Sequence, residues 1–177
     1  MTPHLDSPRQ PSHEPSMPIV DPHARNPFED RRQSERALLV RRGVQKLFFS
    51  LGVPVLPELP LASGRRADLV AVGPKGEFLI IEIKSSVEDL RADLKWPEYR
   101  LHCDRFYFAT HPEVPADIFP QDAGFILSDG HGAEILRESP EHPLAGATRK
   151  AMLIRFARAS AGRLMALERA GIDVPIL

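Results

Sequence analysis

The chain has a single cysteine, Cys103, in 177 residues. That excludes an intrachain disulfide framework and any cysteine-based zinc finger. Net charge is nearly absent as well. Against 23 Lys and Arg stand 24 Asp and Glu, leaving −1 at pH 7, so the overall balance does not advertise a nucleic-acid ligand. No apolar run approaches the ~18 residues that cross a bilayer, and no membrane partner is expected. The opening MTPHLDSPRQ lacks the apolar stretch of a signal peptide, so the expected location is the cytoplasm. There is no glycine-rich phosphate loop and no nucleophile elbow, which argues against NTPase and serine-hydrolase chemistry.

Proline, by contrast, is plentiful and unevenly placed. Seven of the 18 prolines lie between Pro3 and Pro27. Such a segment cannot sustain a helix and has little apolar surface to offset ordering entropy. Residues 1–28 are therefore expected to be a disordered arm, and residues 29–177 a single domain.

Hydrophobic periodicity predicts a helix over 29–51, with Leu38, Leu39, Val44, Leu47, Phe48 and Leu51 on its apolar face and Gly52 as its stop. Residues 53–59 read as an edge strand limited by proline. Residues 66–72 and 78–84 are two β-rich runs joined by Gly73-Pro74-Lys75-Gly76, which is hairpin chemistry. Ser86 followed by Asp89 resembles a capping box opening a second helix, with Val87, Leu90 and Leu94 on one face and Pro97 at its end. A strand over 105–109, a hairpin over 124–136 and an amphipathic helix over 145–170 complete the order. The last helix is expected to bury Leu153, Phe156, Ala157, Ala161, Leu164 and Leu167. The first and last helices are each strongly basic: residues 31–52 and 146–170 both carry six cations and one acid. The near-neutral total thus conceals two cationic elements, expected as phosphate-facing stripes that guide DNA through Arg41, Arg42, Arg155 and Arg158.

Three polar residues interrupt the apolar pattern of the central hairpin. In 78–84, Phe78, Ile80, Glu82 and Lys84 share one face and Leu79, Ile81 and Ile83 the other. A glutamate and a lysine at the end of a strand apolar on both faces each need a reason, because burying them is expensive. Asp68 lies in the preceding strand. A turn centred on Pro74-Lys75 sets it opposite Ile81, and a one-residue bulge sets it opposite Glu82. Two carboxylates held together repel unless a proton or cation intervenes. Hard oxygen ligands in partial coordination suit Mg²⁺ (or Mn²⁺), and an adjacent ammonium suits the charge of phosphodiester hydrolysis. The plainer alternative is a Glu82–Lys84 ion pair with Asp68 as a strand-start residue.

Asp68 followed by Glu82-Ile83-Lys84 through a tight hairpin, with a helix on either side, resembles the PD-(D/E)xK nuclease superfamily. The longer strings Arg65-Arg66-Ala67-Asp68-Leu69-Val70, Glu82-Ile83-Lys84-Ser85-Ser86, Asp93-Leu94-Lys95-Trp96-Pro97-Glu98-Tyr99 and Cys103-Asp104-Arg105-Phe106-Tyr107-Phe108-Ala109 resemble the MmcB-like family of bacterial DNA repair proteins. The resemblance implies an α/β, restriction-endonuclease-like core: a mixed central β-sheet flanked by helices. It also implies a metal-dependent DNA nuclease in bacterial repair, with DNA and other repair proteins as partners and room for a homodimer. Asp68 and Glu82 match the motif's two acids as metal ligands, the carbonyl of Ile83 is a further ligand, and Lys84 matches the catalytic lysine. Ala67 stands where the motif has proline. Glu35 is the acid placed to match the glutamate that some members carry on the first helix.

Other candidates surround this trio. Arg65 and Arg66 could clamp phosphate, and Lys95 could reach it. Asp89 and Asp93 fit a solvated helix stripe better than metal ligation. Trp96 and Tyr99 fit packing against the sheet better than base stacking. His102, Cys103 and Asp104 point apart as neighbours in a strand or turn and do not suit zinc. His111 and His131 are loop residues. The rival to a nuclease is a catalytically silent, nuclease-like DNA-binding or scaffold module of a repair complex, and a third reading is RNA processing.

Overall fold

A computed structural model describes residues 27–173, the side chains of 27–34 excepted. The expected arm therefore lies, as far as residue 26, outside the described residues. The chain runs α1 (Pro27–Ser50), three strands β1 (Val55–Pro60), β2 (Arg66–Val72) and β3 (Phe78–Ile83), α2 (Val87–Ala92), β4 (Arg105–Thr110), β5 (Gly124–Ser128), β6 (Ala133–Arg137) and α3 (Gly146–Arg169). A 3-10 segment, Trp96–His102, follows α2. The six strands form one sheet in the order β1-β2-β3-β4-β5-β6. Pairing is antiparallel from β1 to β3, parallel from β3 to β5, and antiparallel again at β6. This is the expected α/β architecture, a mixed sheet flanked by helices, and it is consistent with a nuclease-like core.

Both faces of the sheet are buried, as the apolar alternation in β3 predicts. One face carries Leu69, Ala71, Ile81 and Tyr107 and receives Val40, Val44 and Phe48 of α1. The other carries Phe78, Ile80, Phe106, Phe108 and Phe125 and receives Tyr99, Phe119 and Met152, with Phe156 and Ala159 packed against them. Trp96 and Tyr99 stack on Phe106 at centroid distances of 5.3 and 5.8 Å, so both serve packing. Cys103 is buried in the same cluster.

Three expectations are corrected. First, α1 buries Val40, Val44 and Phe48, while Leu38, Leu39 and Leu51 are exposed. Secondly, α3 buries Met152 and packs through Phe156 and Ala159, whereas Leu153, Leu164 and Leu167 each keep 40% or more of their surface exposed. Apolar residues lie nearly all round both helices, so periodicity alone does not decide which stripe faces the sheet. Thirdly, α2 is a short helix that stops at Asp93, before Pro97, and Leu94 is 84% exposed rather than packed. The start of α2 is as expected: Ser86 is the N-cap, its hydroxyl accepting the Asp89 N–H at 3.1 Å.

Among the described residues no helix is long and apolar enough to cross a membrane.

Candidate active site

The register of the central hairpin decides which side chains meet. Observed pairs are Leu69 with Ile81 and Val70 with Ile80. The next step along the ladder sets Asp68 opposite Glu82, not opposite Ile81. The reason is the turn. Gly76 adopts φ 77°, and the Gly73 N–H donates to the Glu77 carbonyl at 2.9 Å. Pro74, Lys75 and Gly76 therefore form a three-residue tip, and the left-handed glycine adds the extra residue. On the other side of β2, Glu58 lies between the pairs Pro57–Leu69 and Leu59–Ala67, opposite Asp68. Glu58, Asp68 and Glu82 thus occupy consecutive positions across three neighbouring strands.

At this level the β2–β3 ladder gives way to side-chain bonds. The Asp68 N–H donates to Glu82 Oε1 at 3.1 Å, and the Ile83 N–H donates to Asp68 Oδ2 at 2.8 Å. The other oxygen of each carboxylate, Asp68 Oδ1 and Glu82 Oε2, has no protein donor among the described residues. Glu82 is 4% exposed and Lys84 6%. Burial, and then repulsion from Asp68, raises the Glu82 pKa well above 4.5. Burial also raises the Asp68 pKa, against the opposing pull of the Ile83 N–H and Lys84.

Lys84 sits one residue beyond β3, held by continued pairing with β4. Its N–H donates to the Ala109 carbonyl at 2.9 Å, and its carbonyl accepts from Thr110 Oγ1 at 2.6 Å. The ammonium is bound by α2. Nζ lies 2.7 Å from Asp93 Oδ2 and 4.0 Å from Asp89 Oδ1. Burial works against the charged form, but the Asp93 hydrogen bond and the charges of Asp89, Asp93 and Glu82 outweigh it and raise the Lys84 pKa above 10.5. Asp93 therefore faces this lysine and is not part of a solvated stripe, whereas Asp89 keeps 42% of its side chain exposed.

These groups open into one cleft of about 400 Å³, lined by Asp68, Glu82, Ile83 and Lys84 together with Glu58, Arg41, Arg66, Asp89 and Tyr99. It lies at the C-terminal end of β3, beside the N-terminal half of α1. Glu58 is the residue that sequence reasoning missed. It is an acid in a proline-bracketed strand, and only the pairing of β1 with β2 brings it to the site.

The basic candidates divide. Arg41 and Arg66 line the cleft and pair with Glu58, at 3.7 Å and 2.6 Å respectively. Arg65 pairs with Glu98 at 2.8 Å, with its guanidinium 5.5 Å from the Tyr99 ring centroid. Arg155 donates to the Pro60 carbonyl at 3.2 Å. Arg42, Lys95 and Arg158 are exposed and do not line the cleft. Neither does Glu35, which is exposed on α1. His111 Nε2 donates to the Ser85 carbonyl at 3.0 Å, and His131 offers its carbonyl to Lys46. Asp104 faces away from any metal role, because Arg149 holds it bidentately at 2.7 and 2.8 Å.

The donor set fits a hard cation with few protein ligands. Asp68 and Glu82 line the same cleft and each keeps a carboxylate oxygen with no donor among the described residues, and the backbone carbonyl of Ile83 is the expected third ligand. Among the described residues no cluster of three His, Cys, Asp or Glu side chains has the spacing to hold an ion, so any ion here is held by two side chains and completed by other oxygens.

A family model described as "DNA repair protein MmcB-like" matches residues 24–171. Among solved structures, a protein of unknown function from Silicibacter pomeroyi is 37% identical, with a TM-score of 0.74; the match covers 80% of this chain and 97% of that one. No curated protein matches.

Proposed function

The chain belongs to the MmcB-like family of DNA repair proteins, and from that premise we propose that it is a divalent-metal-dependent DNA nuclease of the PD-(D/E)xK type. The observation that carries this reading is the meeting of Asp68, Glu82 and Lys84 in one open cleft, each carboxylate keeping an oxygen that no donor among the described residues occupies. Asp68, Glu82 and the Ile83 carbonyl would hold Mg²⁺ or Mn²⁺. When bound, the ion supplies Lewis-acid polarisation and lowers the pKa of coordinated water.

The remaining chemistry belongs to the chain. Hydrolysis adds water across a P–O bond, and negative charge grows on the phosphate oxygens. Lys84 offsets that charge as a fixed ammonium. The Asp93 hydrogen bond and the neighbouring carboxylates favour its charged form. Asp93 and Asp89 keep it charged and anchored to α2. Burial of Glu82 and Lys84 strengthens every electrostatic interaction in the cleft. Arg41 and Arg66 at the cleft and Arg65 beside it suit contact with the sugar–phosphate backbone.

The test is cleavage of linear, nicked, single-stranded and branched DNA, and of an RNA duplex, with Mg²⁺ or Mn²⁺. Asp68→Asn and Lys84→Met are each expected to lower the rate by about 10²-fold or more. Equal activity in wild type and both variants would sink the assignment. One observation favours a second reading, a DNA-binding module without catalysis: the Lys84 ammonium is engaged by Asp93 at 2.7 Å. Calorimetric titration separates the two, because the nuclease reading requires Mg²⁺ binding that Glu82→Gln abolishes.

A further inference from the structure

Glu58 has two unusual features. Its backbone adopts φ 54°, the one positive φ outside glycine among the described residues. Residues held in that region persist only when their surroundings over-determine them, and they cluster at functional sites. Here the surroundings are arginines. Arg163 of α3 donates to the carbonyls of Pro57 and of Glu58, the latter at 2.9 Å. Arg66 Nε lies 2.6 Å from Glu58 Oε2 and Arg41 Nη1 3.7 Å from Oε1. The kink leaves the β1–β2 register unbroken on both sides, so its effect is to aim one carboxylate between two guanidiniums at the cleft.

That carboxylate also lies opposite Asp68, where it adds to the repulsion that the Asp68 carboxylate feels. A structural ion pair has no need to be placed beside two further acids. An anion set between two arginines at the edge of a phosphate-handling cleft has the charge and the bonding of a phosphodiester group. We propose that Arg41 and Arg66 form a phosphate subsite for the nucleic-acid backbone, and that Glu58 is its resident anion, displaced when a backbone phosphate enters. The subsite rests on the nucleic-acid reading above. It goes further by giving Glu58 a role and by making binding competitive within the molecule. Arg66 is the more exposed of the two arginines and Arg41 the more buried, so an entering phosphate meets Arg66 first.

The experiment measures binding of a short labelled DNA duplex to the full chain by fluorescence anisotropy, with Ca²⁺ or chelator so that no cleavage intervenes, over a salt series. Glu58→Gln is expected to bind about threefold to tenfold tighter than wild type at each salt concentration, because no carboxylate has to leave the arginines before the phosphate enters. Arg66→Ala is expected to cost more affinity in the Glu58→Gln background than in wild type. Glu58→Gly, which removes the carboxylate and suits the positive φ, is expected to reproduce the gain and guards against a folding defect in the first variant. Glu58→Gln and Glu58→Gly that bind no more tightly than wild type would overturn the subsite alone. Absence of DNA binding by every variant would overturn it together with the nucleic-acid reading. Absence of cleavage, with the binding gain intact, overturns only the nuclease.

Discussion

Glu82 is buried beside another carboxylate, and that arrangement works against a stable empty fold. Its folded-state pKa is raised well above 4.5, by burial first and by Asp68 second, so the native state holds this proton more tightly than the unfolded chain. The resulting stabilisation is fully present below 4.5 and is lost as pH rises through the higher folded value. In chelator, wild-type Tm is therefore expected to fall across that window. Glu82→Gln should flatten this slope and melt higher than wild type at its alkaline end, as thermal unfolding over a pH series would register. An unchanged slope would mean that Glu82 is not the titrating group. At this scale Asp68, Glu82 and Lys84 were legible because a charge in an apolar strand stands out by its cost. Asp93 and Glu58 were not. The first closes the C-terminal end of α2, where nothing in the local pattern names its partner, and the second lies in a proline-bracketed strand whose pairing register the sequence does not fix.

Among the elements, α1 illustrates how close approach replaces periodicity as the guide. Its buried stripe is Val40, Val44 and Phe48, and Gly43 lies within it. A Cβ at Gly43 would collide with Ser128 Oγ and with the Gly132 carbonyl of the β5–β6 hairpin. The backbone carbonyl cannot step aside as a flexible side chain would. Gly43→Ala, favourable to an isolated helix by propensity, is expected to destabilise the protein by about 1–3 kcal/mol through overpacking. Chemical denaturation would show it as a lower midpoint at constant m-value. A neutral or stabilising result would mean that α1 can lift from the hairpin. The β2–β3 hairpin was legible as a hairpin, and both strand faces were read correctly. Its register was open between two values, and Gly76, entering the turn in the left-handed region, decides for the one that sets Asp68 opposite Glu82.

At the level of the whole molecule, a buried aspartate ties α3 to the sheet. Asp104 is 2% exposed and accepts the N–H groups of Phe78 at 2.7 Å and Leu144 at 2.9 Å, as well as both arms of Arg149. Burial pushes its carboxyl up, but Arg149 and the two backbone donors outweigh this and hold it below 3.8. Its contribution is thus present above the unfolded value and lost as pH falls through the lowered folded one. Asp104→Asn is expected to cost roughly 2–4 kcal/mol at neutral pH, by leaving Arg149 without its charge partner. The same variant should remove part of the acid sensitivity, a comparison of denaturant midpoints at neutral and acid pH being the check. Equal losses at both would assign the effect to packing alone. The clamp also qualifies the picture of basic helices as phosphate-facing stripes. Arg149, Arg155 and Arg163 of α3 all donate to backbone carbonyls of the β-hairpin region, so much of the helix's charge serves attachment.

The amino-acid sequence by itself determined the order of elements, the faces of the strands, the cap of α2 and the three polar residues at the end of the central hairpin. Each of these follows from interactions between residues close along the chain: alternation, turn chemistry, a side chain reaching its own helix start. Tertiary structure alone decided which stripe of α1 and α3 is buried, that Asp93 takes the Lys84 ammonium, and that Glu58 comes to the cleft between Arg41 and Arg66. Those outcomes depend on contacts between elements rather than within one, where many partners are chemically equivalent and packing selects among them.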